Sequence, residues 1–239
     1  MLDLGCGPGT WLRRVVTHAL GLGFSEIRAR GIDVADAQVR RAAGLARTLC
    51  AEPGVALRFQ VCDIRRRFEE ADAGVDLCLC LYAVLNHVPR ADLPGVIAEV
   101  ARVTRGDVIT TVRAAGSTPT IFIGPVASAR RFRQDNRTDR FEADLEGGRH
   151  AVFNVHLFGA AELEELVSAH FDVEDLRGLD LFHGRFASDP RWNPETMQAT
   201  PGFCSELERM ESLYCRDPGF IDHATHLLLV ARRKGSSHD

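Results

Sequence analysis

Lysine is almost absent from this chain, and its scarcity excludes several kinds of catalytic site. The 239 residues contain 29 lysines and arginines, and the only lysine among them is Lys234, close to the carboxyl end. A P-loop lysine, a Schiff-base lysine and the ATP-binding lysine of a kinase are therefore excluded from the body of the domain. The sequence also lacks H-E-x-x-H, G-x-S-x-G and EF-hand patterns, and its nine histidines lack metal-ligand spacing. We therefore predict no metal site.

Membrane and disulfide signals are missing as well. The sequence has no apolar run of roughly 18 residues, the length that a membrane span needs, and its first residues do not form a signal peptide. None of the seven cysteines belongs to a C-x-x-C pair. The net charge of −4 gives no overall attraction to nucleic acid or to a membrane surface. These absences predict a cytoplasmic protein with reduced thiols.

The chain does contain enough apolar side chains, 45% of its residues, to fill the core of one domain over residues 1–239. Strand-like and helix-like stretches alternate along it. The predicted strands are 1–4, 27–33, 55–62, 74–81, 107–112, 171–176 and 226–232. The predicted helices are 10–20, 35–50, 92–103 and 160–169. This alternation predicts an α/β fold with a doubly wound, mostly parallel sheet and helices on both faces.

Two stretches interrupt the alternation. Residues 114–150 hold turn formers, an arginine cluster and the first strand of a hairpin predicted at 141–145 and 150–157. Residues 180–222 are rich in proline, phenylalanine and tryptophan, with one helix near 205–214. Because such composition suits a lid better than a second core, we expect both inserts to form a cap over the carboxyl ends of the strands.

The first nine residues, Met-Leu-Asp-Leu-Gly-Cys-Gly-Pro-Gly, form a strand that turns through three glycines into a helix. Such a turn cradles a cofactor, because glycine lets a ligand lie against the backbone. A dinucleotide is one candidate, but Gly9 comes one residue too early for G-x-G-x-x-G, and Pro8 removes an N–H that a phosphate could use. Asp3 would also repel a pyrophosphate. S-adenosylmethionine, which carries a sulfonium and an ammonium, is favoured instead.

The stretch LDLGCGPG resembles motif I of the class I S-adenosylmethionine-dependent methyltransferases, in which an acid precedes glycines at alternate positions. Asp3, Gly5, Gly7 and Gly9 match that motif, with Cys6 between them. The resemblance covers roughly residues 1–113 and 155–233. It implies a seven-stranded sheet whose last strand is antiparallel and lies between the fifth and sixth strands, and S-adenosylmethionine as cofactor.

The acids that end the next two strands strengthen the resemblance. Asp33 can accept both hydroxyl hydrogens of a ribose, although it could instead cap the helix at 35–50. Asp63 resembles the family acid that takes the adenine amino group; the alternative is a solvated loop acid. Val34 and Ile64 would then line the two adenine faces. Leu81 lies where the family offers a carbonyl to the methionine ammonium.

The segment Tyr82 to Pro89, YAVLNHVP, resembles the family segment that crosses the methyl group. Its polar members, Asn86 and His87, are candidates for orienting the substrate, together with Tyr82. His87 could also accept a proton, or it could be a structural histidine that caps the next helix. In the second insert the acceptor pocket is predicted to use a polar and aromatic mixture: Phe182, His183, Arg185, Phe186 and Trp192.

The leading hypothesis is therefore a methyltransferase that acts on a small molecule by in-line displacement. The second hypothesis is an RNA methyltransferase, which would bind RNA through a cluster of arginines, although acids interrupt this cluster: Arg130, Arg131, Arg133 and Arg137. A non-catalytic relative and a nicotinamide-dependent oxidoreductase are the other hypotheses. Family members usually carry a helix before motif I. We therefore expect a chain extended by natural upstream codons, if these exist, to bind the cofactor more tightly and to melt at a higher temperature.

Overall fold

The structure is a computed structural model, which describes residues 1–116, 129–182 and 201–235. The ten strands of the described chain are β1 (Leu2–Leu4), β2 (Ile27–Asp33), β3 (Val55–Val61), β4 (Val75–Cys80), β5 (Thr104–Arg113), β6 (Arg131–Asp135), β7 (Arg140–Asp144), β8 (His150–Asn154), β9 (Phe171–Leu179) and β10 (His226–Arg233). Its α-helices are α1 (Thr10–Gly21), α2 (Asp36–Leu45), α3 (Arg47–Cys50), α4 (Leu93–Val103), α5 (Ala160–Ser168) and α6 (Pro201–Tyr214).

Seven strands form one sheet in the order β3-β2-β1-β4-β5-β10-β9. The neighbours from β3 to β5 pair in parallel, whereas β10 is antiparallel to both β5 and β9. The predicted doubly wound sheet is therefore confirmed, including the antiparallel last strand between the fifth and sixth strands. The order reverses between β1 and β4, and the carboxyl ends of the parallel strands meet at one edge beside that reversal. A ligand crevice is expected there.

Two apolar layers hold the helices to opposite faces of this sheet. On one face Leu12 and Val16 of α1 pack with Leu79 of β4. On the other face the apolar stripes of α4 and α5 pack on β4, β5 and β10, for example Val100 and Leu163. Because β4 reads as an almost continuous apolar run, it can be covered on both sides, as a central parallel strand requires.

The predicted hairpin exists, but it belongs to a three-stranded antiparallel sheet, β6-β7-β8. Phe141 lies at the centre of its small core and is fully buried. The strand β6 was not predicted, because its sequence, Arg-Phe-Arg-Gln-Asp, lacks the apolar alternation of a half-buried strand.

Other differences concern element boundaries. The helix predicted at 35–50 is divided into α2 and α3 at Ala46, whose N–H still bonds the carbonyl of Ala42. The strand predicted at 107–112 begins at Thr104, directly after α4, and β9 continues to Leu179. Among the described residues, no helix is long and apolar enough to cross a membrane, and no group of three or more metal-ligating side chains could hold an ion.

Candidate cofactor and methyl-transfer site

A cavity of about 440 Å³ lies at the carboxyl ends of β1 to β4. It is lined by the residues that follow these strands and by one residue of the small sheet: Gly5, Asp33, Val34, Cys62, Asp63, Ile64, Arg65, Tyr82, Val84, His87, Val88, Pro89 and Asn154. Ligand cavities of small molecules typically occupy 300 to 1,000 Å³. Its size and its place beside the strand reversal therefore suit a cofactor.

The glycine turn between β1 and α1 contributes Gly5 to the lining of this site. Gly5 has a φ of +63°, and a Cβ there would lie 2.4 Å from Val84, so the loop after β4 can approach only because the side chain is missing. A Cβ at Gly7 would meet nothing within 4 Å, although its φ is +51°. The backbone at Gly7 is therefore open to a ligand. Gly9 is the residue that precedes α1.

Asp33, at the end of β2, connects the glycine turn to the start of α2. Its Oδ2 accepts a hydrogen bond from the Gly7 N–H at 2.9 Å, and its Oδ1 accepts one from the Ala35 N–H at 2.8 Å. A carboxylate offers about four acceptor positions. Two of them stay available for hydroxyl groups. Val34 is next to it and is 67% exposed, so an apolar surface lies where the adenine is predicted.

Asp3 lies under the glycine turn and is only 3% exposed. Burial, and then the charge of Asp33, raises the pKa of Asp3 to about 7. Burial also raises the pKa of the Cys6 thiol to about 12, so Cys6 is not a nucleophile. Five of the predicted cofactor residues do not line the cavity, and their cofactor contacts stay predictions: Asp3, Cys6, Gly7, Gly9 and Leu81.

Asp63, after β3, is held by the residue two positions on. The Arg65 guanidinium donates to both carboxylate oxygens, with Nη2 2.6 Å from Oδ2 and Nε 3.0 Å from Oδ1. This pairing lowers the pKa of Asp63. Ile64 is buried beside it and lines the cavity. Asp63 therefore stays ionised and can accept a hydrogen bond, but it shares its charge with Arg65.

The loop after β4 has an unusual backbone. Tyr82 and Ala83 are consecutive non-glycine residues with φ of +60° and +64°. Hydrogen bonds to β5 hold them there: the Tyr82 N–H donates to Thr111 Oγ1 at 2.7 Å, and the Ala83 N–H donates to the Thr111 carbonyl at 3.0 Å. Such strain persists where the surroundings fix it, most often at functional sites. The Tyr82 side chain is 69% exposed beside the cavity, with its ring 5.9 Å from that of Trp11.

His87 faces the cavity from the same loop. Its Nδ1 lies 3.2 Å from the carbonyl oxygen of Asn154, at the end of β8. Because a carbonyl only accepts hydrogen bonds, this contact assigns the proton of the neutral imidazole to Nδ1 and leaves Nε2 as an acceptor. Asn154 also lines the cavity, so the three-stranded sheet closes one side of it.

Asn86, in contrast, is 1% exposed and fully engaged with the backbone. Its Oδ1 accepts from the Arg113 N–H at 3.0 Å, and its Nδ2 donates to the carbonyls of Arg113 and His156. This geometry gives Asn86 a structural role, in which it ties the loop after β4 to the end of β5. A contact with the substrate remains a prediction.

A buried histidine that the sequence analysis missed joins the small sheet to the main domain. His156 is 1% exposed, with Nδ1 3.2 Å from Asp139 and Nε2 2.9 Å from Glu162 on α5. Arg90 donates to the same Asp139 at 2.8 Å. The backbone N–H of His156 also donates to the backbone carbonyl of Asn86. No motif marks this network, since its members are far apart in sequence.

The remaining predictions concern the two inserts. Acids accompany the arginine cluster. Arg133 lies opposite Glu142 in the register of β6 and β7, and Arg137 lies 4.0 Å from Asp135. Phe182 packs against Tyr214 rather than standing alone. The other predicted substrate residues, His183 and Arg185, lie outside the described residues, as do Phe186 and Trp192. Lining residues that the sequence analysis did not single out are Cys62, Arg65 and Asn154.

Comparison with known proteins agrees with this geometry. Residues 1–107 match the family model described as a methyltransferase domain. No curated protein matches the chain in sequence. Among solved structures, a protein from Pyrococcus horikoshii OT3 has a TM-score of 0.59 at 18% identity, with 98% of this chain and 81% of that chain covered.

Two further solved structures are of methyltransferases. An S-adenosylmethionine-dependent methyltransferase from Mesorhizobium loti has a TM-score of 0.53 at 17% identity, covering 97% of this chain and 90% of that one. Geranyl diphosphate C-methyltransferase from Streptomyces coelicolor A3(2), in complex with Mg²⁺, geranyl diphosphate and S-adenosyl-L-homocysteine, has a TM-score of 0.56 at 14% identity, covering 97% and 70%. At these identities the likeness shows the fold. The chain therefore has the fold of class I S-adenosylmethionine-dependent methyltransferases, and its residues 1–107 are similar to the methyltransferase-domain family.

Proposed function

We propose that this protein transfers the methyl group of S-adenosylmethionine to a small-molecule acceptor by in-line displacement. The observation that carries the proposal is the cavity at the strand ends. It brings the glycine turn, Asp33 and Asp63 together, although 58 residues of sequence separate Gly5 from Asp63. The residues fit the cofactor: carboxylates suit a ribose, an adenine amino group and an ammonium, and the open backbone at Gly7 suits close approach of a ligand.

The chain's own residues would position the cofactor more than they would take part in the chemistry. Bound S-adenosylmethionine supplies a methyl group that its sulfonium already activates. Asp33 would hold the ribose with its two available acceptor positions, and Val34 and Ile64 would enclose the adenine. Asp3 would add negative charge beneath the glycine turn. These contacts fix the donor, and in-line transfer then requires that the acceptor is held close and that water is excluded.

His87 is proposed as the general base. Its Nδ1 contact with the Asn154 carbonyl orients the ring, and its Nε2 is then available to take a proton from an acceptor hydroxyl, thiol or amine. Tyr82 would contact the acceptor, since it is exposed at the mouth of the cavity. We further propose that the two inserts cap this site, next to β8, which follows the first insert and reaches the cavity through Asn154.

Calorimetry and label transfer test the proposal together. The chain should bind S-adenosylmethionine and should not bind NAD. The protein is then incubated with methyl-labelled S-adenosylmethionine and a deproteinised cell extract, which is afterwards separated into small molecules and RNA. Label in a small molecule other than S-adenosylmethionine and its breakdown products, absent when the protein is left out, supports the proposal, whereas label in the RNA identifies the alternative acceptor. Binding without any transfer of label would show a non-catalytic relative, and binding of NAD alone would overturn the assignment of the cofactor.

A further inference from the structure

Arg113, the last residue of β5, is a partly buried cation without a carboxylate partner in the described part of the chain. Its Nε is buried and makes no hydrogen bond. Burial lowers the pKa of Arg113, and no acid among the described residues raises it. The Nε of Arg30 is also buried without a hydrogen bond, but the Arg30 guanidinium contacts Glu69 and Glu70, whereas Arg113 has no such partner among the described residues. A buried donor with no partner costs about 1–3 kcal/mol, so the unpaired Nε of Arg113 requires an explanation.

The backbone around Arg113 is fixed. Asn86 binds both its N–H and its carbonyl, and the Phe158 N–H donates to the same carbonyl at 3.0 Å. Side chains alternate along a strand, and Val112 enters the core with α4 and α5. Arg113 therefore points to the opposite face of the sheet, together with Thr111.

That face leads to the proposed active site. Thr111 accepts the hydrogen bond of the Tyr82 N–H, and Tyr82 lines the cofactor cavity. Arg113 comes two residues after Thr111 on β5, so it is the next side chain on the same face of the sheet. Directly opposite on β10 is His226, the register partner of Arg113. Burial first, and then the charge of Arg113, lowers the pKa of His226, while Asp180 raises it.

We propose that Arg113 and His226 bind an oxyanion of the methyl acceptor, so that this enzyme acts on small molecules that carry a carboxylate or a phosphate. This inference rests on the proposed methyl transfer and specifies its substrate class. The planar guanidinium fork matches both oxyanions, and a ligand oxygen would satisfy the buried Nε. An anion at the ends of β5 and β10 would place the rest of the acceptor towards Tyr82 and the proposed methyl donor.

The experiment follows the imidazole resonances of His226 by NMR while S-adenosylhomocysteine is present in excess. His226→Gln identifies these resonances. The probes are inorganic phosphate and acetate, with acetamide as the uncharged match of acetate. We expect at least one of the two anions to shift the resonances saturably and to raise the pKa of His226, and acetamide to have no effect.

Arg113→Gln should weaken the anion response by about tenfold or more, the loss expected for a charge-assisted contact. This variant changes the starting pKa of His226 by itself, so the quantity compared is the change that the anion causes in each protein. Arg105→Gln is the matched control, since Arg105 is exposed at the other end of β5 and pairs with Asp76. If Arg113→Gln does not fold, Arg113→Lys should fold and bind the anion more weakly, because lysine lacks the fork.

No response to either anion, an equal response to acetamide, or an unchanged response in the Arg113 variant would overturn the inference. Calorimetry with S-adenosylhomocysteine on the same samples separates the two proposals. If S-adenosylhomocysteine binds and the anions do not, only the proposed class of acceptor is wrong. If S-adenosylhomocysteine does not bind, the proposed function is wrong as well.

Discussion

Asp3→Asn should make the chain more stable and a weaker binder of its cofactor. Asp3 is 3% exposed, and burial followed by the charge of Asp33 raises its pKa from 3.8 to about 7. The folded state therefore holds the Asp3 proton more tightly than the unfolded state does. The contribution of this group to stability is fully present below pH 4, falls as the pH rises towards 7, and stays low above it. Asparagine removes that dependence, because it is neutral in both states.

The size of the effect follows from the shift. Three pKa units at about 1.4 kcal/mol each give an upper value of roughly 4 kcal/mol at pH 8. For a chain of this length, about 2–4 °C corresponds to each kcal/mol. Asp3→Asn should therefore melt up to roughly 8–16 °C above the wild type at pH 8. The difference should shrink between pH 7 and pH 5.

The affinity for S-adenosylmethionine should fall in Asp3→Asn, whereas the stability rises. An ionised Asp3 attracts the positive charges of S-adenosylmethionine, so wild-type affinity should rise with pH through about 7, and the variant should lack that rise. Thermal melts and calorimetry between pH 5 and pH 8.5 measure both quantities. Asp36→Asn is the control, since Asp36 is an exposed acid that pairs with Arg40. A melting difference that does not depend on pH, or unchanged binding by Asp3→Asn, would refute this reasoning.

Three further substitutions test separate parts of the site. His87→Gln should lower the rate of methyl transfer by about 100-fold or more while the cofactor affinity is kept. The control His18→Gln on α1 should change neither the rate nor the affinity. Full activity of the His87 variant would show that His87 is not the general base. Asp63→Ala should remove the preference for S-adenosylhomocysteine over its inosine analogue, which lacks the adenine amino group; a preference that survives would assign that contact elsewhere. His156→Ala should lower the free energy of unfolding in urea by about 2–3 kcal/mol, because two carboxylates lose their buried partner. The exposed His150→Ala should cost far less, and equal losses would contradict the proposed joint between the sheets.

The main sheet could be predicted because its signals are local. The glycine turn at Gly5, the apolar run of β4 and the acid that ends β2 each lie in a few consecutive residues, and the family resemblance then gives the strand order. The ends of parallel strands meet at one edge, so Asp33 and Asp63 could be expected near one another. In the structure both residues line the same cavity.

The rest of the site depends on contacts between distant segments. Asn154 reaches the cavity because β8 docks against the loop after β4, and nothing in its own sequence indicates that docking. Arg65 binds Asp63 by a side-chain conformation that periodicity does not predict. Asn86 is predicted to orient the substrate because it is polar and lies in the segment after β4, and that contact stays a prediction. Its burial shows that the fold needs its hydrogen bonds.

The most direct test of a methyl-donor site at the strand ends is the calorimetric titration of Asp33→Ala with S-adenosylmethionine. Asp33 bonds the Gly7 N–H and can still receive the ribose hydroxyls, so its loss should cost roughly 1.5–3 kcal/mol, or about 10- to 150-fold in affinity. Asp36→Ala, three residues along, should bind as the wild type does, and thermal melts confirm that both variants are folded. A folded Asp33→Ala protein that binds S-adenosylmethionine with unchanged affinity would contradict the account.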